Sequence, residues 1–125
     1  MKRILLSMAL CLIAFTANAQ TKVIYFHGKQ RCPTCISIEQ RSREIVNERY
    51  AEELKNGQLE FMVVDISTPD GKAMAEKYRV SWSSLYVDNG KSKTDASRLG
   101  FQYARTQPDV FKSELKDVID KALDE

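Results

Sequence analysis

The chain has 125 residues, 43% of them hydrophobic and 29% charged, with a formal net charge of +2. That length suits one domain with a single core. So slight a charge gives no electrostatic basis for holding nucleic acid or an anionic membrane.

Residues 1–19 read as an export signal. Lys2 and Arg3 form a basic start, Ile4 to Phe15 an apolar stretch, and Ala17-Asn18-Ala19 a small-x-small cleavage pattern. The stretch is too short for a good membrane anchor. Leu10, where a lipoprotein needs a small residue, argues against lipid attachment at Cys11. The expectation is an exported protein, periplasmic or otherwise extracytoplasmic, folded over 20–125, monomeric and without stable membrane insertion. Removing the signal leaves 17 basic and 17 acidic residues, formally neutral.

Lys22 to Phe26 is apolar on nearly every residue, as in a strand buried on both faces. From Pro33 the period becomes helical, through Ile36, Ile38, Ile45, Val46, Tyr50 and Leu54, with Asn56-Gly57 as the stop. Pro33 suits the first helical position, where a missing N–H costs nothing. The charge-rich run Glu39 to Glu53 reads as the solvated helix face, although Glu44 and Glu48 are a like-charged i,i+4 pair. Leu59 to Ile66 forms a second strand. Thr68-Pro69-Asp70-Gly71 turns the chain into a short helix over Lys72 to Tyr78, and Leu85-Tyr86-Val87 is a third strand. Asp88-Asn89-Gly90 has hairpin chemistry and predicts an antiparallel fourth strand near Thr94 to Leu99. Pro108-Asp109 opens a final amphipathic helix whose stripe is Val110, Phe111, Leu115, Val118, Ile119 and Leu123. The order β-α-β-α-β-β-α predicts an α/β domain: a mixed four-stranded sheet with helices on both faces.

Cys32-Pro33-Thr34-Cys35 carries the chemistry. The spacing lets two thiols close into a disulfide within one helical turn, and the helix N-terminus favours thiolate on Cys32. Lys29 and Arg31 stand beside it in sequence. Cys32 is expected to be the exposed attacking sulfur and Cys35 the buried resolving one. A plain staple is the structural alternative, but so short a loop yields little entropic stabilisation. A zinc site is the weaker reading, since no second dithiol exists and His27 is the only histidine. The expected function is thiol–disulfide exchange with protein thiols or disulfides, with no organic cofactor. The alternatives are a binding module in which Cys32 and Cys35 hold a soft metal or metalloid, Cu(I), Zn(II) or As(III), and a redox-inert interaction domain.

The strand before the dithiol, the Val63-Val64-Asp65-Ile66 strand, the Ala73 to Val80 run and the strand ending Asp88-Asn89-Gly90 resemble a thioredoxin-fold thiol–disulfide oxidoreductase. Tyr25-Phe26-His27, the Arg31-Cys32 dithiol and Phe101-Gln102-Tyr103-Ala104-Arg105-Thr106 resemble, more closely, the exported thioredoxin-like nitrophenyl-compound nitroreductase subunit family. The resemblance implies a buried carboxylate six positions before the first cysteine. This chain has Phe26 there, leaving His27 either as a substitute proton carrier or as a structural residue. The resemblance also implies a cis-proline facing the dithiol. The chain reads Val80-Ser81-Trp82-Ser83-Ser84-Leu85, which puts Ser83 in that place and predicts a trans or rearranged loop. The site lining is then expected to be His27, Arg31, Pro33, Thr34, Trp82 and Ser83, with Trp82 either open to a partner or packed into the core. Tyr103 and Arg105 are expected either to order the approach to the last helix or to form an edge for partner docking.

Overall fold

The computed structural model describes residues 20–125; residues 1–19, expected to be an export signal, lie outside the described residues. Among these, no helix is long and apolar enough to cross a membrane. Strand β1 (Thr21–His27) is buried on nearly every residue because it is central. The sheet runs β2-β1-β3-β4, with β2 (Leu59–Asp65) parallel to β1, β3 (Ser84–Asp88) antiparallel to it and β4 (Lys93–Asp95) antiparallel to β3. The register sets Tyr25 between Val63 and Leu85, and Phe26 between Val64 and Ser84. This is the expected mixed four-stranded sheet.

Alternation along β1 divides the core in two. Val23 and Tyr25 face the cluster built with Ile38, Ile45 and Val46 of helix α1 (Pro33–Arg49) and Phe111, Leu115 and Ile119 of the last helix. Ile24 and Phe26 face the other side, against Ala75 and Tyr78 of helix α3 (Pro69–Tyr78). Thr68 caps α3, its hydroxyl accepting the Gly71 N–H at 3.0 Å.

Three boundaries differ from expectation, the first being that helix α3 begins at Pro69 and not at Lys72. Helix α1 stops at Arg49, and α2 (Ala51–Asn56) follows after one non-helical residue, Tyr50. Tyr50 is drawn inward, its hydroxyl donating to Asp120 at 2.5 Å and to the Lys116 carbonyl at 3.1 Å. The expected stop at Gly57 stands, at φ 86°, where glycine carries no Cβ penalty. The fourth strand, β4, covers only Lys93–Asp95, and the expected strand as far as Leu99 is instead helix α4 (Ser97–Tyr103). The Asp95 carboxylate accepts the Ser97 N–H at 2.9 Å and turns the chain out of the sheet. Helix α5 (Pro108–Asp124) buries Phe111, Leu115, Ile119 and Ala122, whereas Val110 remains 37% exposed, outside the stripe expected to hold it.

Candidate dithiol site

Helix α1 begins at the sulfurs. Cys32 is its N-cap, in extended backbone, and its Sγ accepts the Cys35 N–H at 3.0 Å. Pro33 stands at the first helical position, exposed, and Thr34 follows half-buried. The cap places Cys32 on the surface, while Cys35, one turn in, is only 6% exposed. The two form a disulfide with Cα atoms 5.0 Å apart.

Across from them lies the loop between α3 and β3. The Ser83 hydroxyl donates to Cys35 Sγ at 3.5 Å, a long contact suited to sulfur. No peptide bond among the described residues is cis. Trp82, next to Ser83, is 78% exposed, so it contributes to the surface and not to the core. The Ser84 hydroxyl donates to the Trp82 carbonyl at 3.1 Å and fixes the turn beneath it.

The flanking charges are disposed differently from their sequence positions. Arg31 is hydrogen-bonded to Glu39 of α1, and Glu39 also accepts from Arg43 at 2.9 Å. Burial disfavours the charge on Glu39, but the bonds from Arg31 and Arg43 outweigh it and hold the carboxyl below its ordinary range. Arg31 therefore directs its guanidinium to a carboxylate, and little of its charge is left for Cys32. Lys29 is exposed. His27, half-buried, has Nδ1 2.9 Å from the Gly28 carbonyl, and its ring stacks on that of Tyr25.

Phe26, at the place expected for a carboxylate by counting back from Cys32, faces away from the dithiol. Its ring packs 5.5 Å from that of Tyr78 and 6.2 Å from that of Tyr86. Alternation turns Tyr25 toward the α1 side, in one cluster with Ile38. Tyr25 was not among the expected lining residues. The signal that would have found it is strand parity, since neighbours on β1 must face opposite layers. Tyr103 packs partly buried against the same cluster, and Arg105 is exposed. Gly100 was also missed: a Cβ there would lie 2.8 Å from Ile38, so α4 approaches α1 closely just below the sulfurs.

Among the described residues, no group of three or more His, Cys, Asp and Glu is placed to hold a metal ion. A soft metal here would meet only the two sulfurs as protein thiolates.

Solved structures were compared with this architecture. The thioredoxin of Fasciola hepatica superposes with a TM-score of 0.53 at 15% identity, covering 93% of this chain and 93% of that one. Thioredoxin f2 of Chlamydomonas reinhardtii gives 0.51 at 14% identity, over 84% and 81%. The chain has the thioredoxin fold. A third structure, described as a malarial protein, aligns at 0.52 and 14% identity over 78% of this chain and 96% of its own. No family model matches the chain, and no curated protein matches it in sequence. Identities this low speak to the fold alone.

Proposed function

We propose that this protein is an extracytoplasmic thiol–disulfide oxidoreductase, or an electron relay, acting on dithiols or disulfides of other proteins. One observation carries the reading: an exposed helix-capping sulfur at Cys32 is joined to a buried one at Cys35. Export is supported by the basic-apolar-small pattern of residues 1–19.

The exchange needs no further group. In the reduced form the Cys32 thiolate attacks a partner disulfide, forming a mixed disulfide and releasing the partner's second sulfur as a thiolate. Cys35 then gives up its proton and attacks Cys32 Sγ. The Cys32–Cys35 bond forms, the bond to the partner breaks, and the partner leaves with two electrons and takes up a proton. In the opposite direction a partner dithiol is oxidised. Unpaired N–H groups of α1 stabilise the thiolate at the first step, as donors at a helix N-terminus do. The open setting of Cys32, with exposed Trp82 next to the Ser83 that touches Cys35, suits a protein surface as substrate.

Equilibration of the purified protein in glutathione buffers, with both thiols followed by alkylation, tests this. A reversible two-electron couple between about −270 and −120 mV is expected, the span of exchange catalysts. A disulfide that resists reduction down to about −300 mV, as structural ones do, overturns it.

A further inference from the structure

Tyr25 is fully buried, and among the described residues its hydroxyl belongs to the few buried side-chain polar atoms without a hydrogen-bond partner. A buried unpaired hydroxyl is destabilising, and phenylalanine would fill the same space without it. Yet the hydroxyl lies where chemistry happens. The Ser83 hydroxyl is the side-chain hydroxyl that faces it, and in the disulfide form that hydroxyl donates to Cys35 Sγ at 3.5 Å. A serine oxygen that donates one hydrogen still has lone pairs to accept another.

We propose that Tyr25 and Ser83 form a two-hydroxyl donor chain onto the resolving sulfur, closing when the disulfide opens: Tyr25 O–H to Ser83 Oγ, and Ser83 O–H to Cys35 Sγ. This rests on the exchange reading above and names the group that prepares its second step. Ser83 touches the reacting sulfur, and Tyr25 acts through Ser83 as a positioning residue. No proton passes along the chain. Cys35 loses its proton to the medium or to the departing partner thiolate, and the chain stabilises the charge left behind. Hydrogen bonds to a charged acceptor are the strong ones, and each link polarises the next.

The other groups facing Tyr25 leave this role to Ser83. Arg31 and Glu39 are paired with each other. The His27 ring stacks at 6.1 Å between centroids, and Val63 and Leu85 on the flanking strands are apolar. Burial raises the Tyr25 pKa above its ordinary value, so the phenol keeps its hydrogen throughout the working range.

The test mixes reduced protein with an aromatic disulfide whose released thiolate is coloured. The first release reports attack by Cys32, and the second reports closure by Cys35. Tyr25→Phe is expected to leave the first release unchanged, to slow the second about tenfold at neutral pH, and to raise its pH midpoint by about one unit. Ser83→Ala should slow the second at least as much, and the double variant no more than Ser83→Ala, since Tyr25 acts only through Ser83. A purely structural tyrosine would not move that midpoint. If the second release of Tyr25→Phe superimposes on that of the parent at every pH, the chain does not exist. Should the parent itself give no second release, the exchange reading fails instead, which keeps the two failures apart.

Discussion

The Cys35 backbone N–H donates to the Cys32 sulfur at 3.0 Å, so the buried cysteine helps to cap the exposed one. The bond comes from main chain at the helix start and does not need the Cys35 thiol. Reduction removes neither this donor nor its place at the helix start.

The Cys32 thiol is therefore expected to ionise at least about one unit below the ordinary cysteine value of about 8.5. Cys35→Ser should retain most of that depression, because serine keeps the amide. The pH dependence of alkylation in Cys35→Ser measures it directly. An ordinary pKa there would mean that the helix start does not activate Cys32.

Trp82 exposes 78% of its surface beside the loop that touches Cys35. An exposed indole contributes little to folding, so Trp82→Ala should change stability by less than about 0.5 kcal/mol. Desolvated on a partner, the same ring is a strong anchor, and its loss should lower kcat/KM toward a protein disulfide about tenfold. Oxidised glutathione, which offers little surface to lay on the indole, should react at the parent rate. Equal losses with both substrates would place Trp82 in the chemistry and not in docking.

What the sequence made legible follows from where the decisive contact lies. The three long strands were readable because β1 is buried on both faces and shows it as an unbroken apolar run. The start of α1 was readable because Cys32 and Pro33 are local signals for a cap and a first turn. The break at Tyr50 was not, since its cause is Asp120, 70 residues away. Glu44 and Glu48 look repulsive within α1, yet Lys112 of α5 lies 3.1 Å from each. Strand β4 gives way to α4 through one Asp95 carboxylate, against a hairpin signal that predicts a longer strand. Locating a carboxylate by counting back from Cys32 picked Phe26, whereas the side chain facing the dithiol side is set by parity and belongs to Tyr25.

Gly100 allows α4 to lie on α1. A methyl group there would meet three atoms of the Ile38 side chain between 2.8 and 3.2 Å away, and Ile38 is only 1% exposed. With nowhere for Ile38 to go, Gly100→Ala should cost about 1–3 kcal/mol, as overpacking does. Ile38 is one turn beyond Cys35, so the strain should also reach the dithiol and expose Cys35 to alkylation in the reduced protein. Gly100→Ala combined with Ile38→Val, which removes a methyl from the collision, should recover part of the loss. Chemical denaturation of the parent and the two variants decides it, and an unchanged midpoint in Gly100→Ala would mean that the helices separate freely.

On the opposite face of the sheet, the Tyr78 hydroxyl donates to Asp88 at 2.5 Å, and Asp88 also accepts the Gly90 N–H at 2.8 Å. Burial works against the charged carboxylate, but these two bonds prevail and set the Asp88 pKa below its ordinary value. For Tyr78, burial first and the Asp88 bond second push ionisation upward. The linkage signs differ. The depressed carboxyl contributes stability that is complete above its unfolded pKa of about 3.9 and is lost as the pH falls through the folded value. The raised phenol contributes stability that is complete below its unfolded pKa of about 10 and is lost as the pH rises beyond it. Tyr78→Phe should therefore cost about 1–2 kcal/mol on a plateau between about pH 5 and 9. That difference from the parent should shrink below about pH 4 and again above about pH 10. Urea unfolding of both proteins across this range measures the gap, and one that stays constant into acid would show that the Tyr78–Asp88 bond does not hold the carboxylate in its charged form.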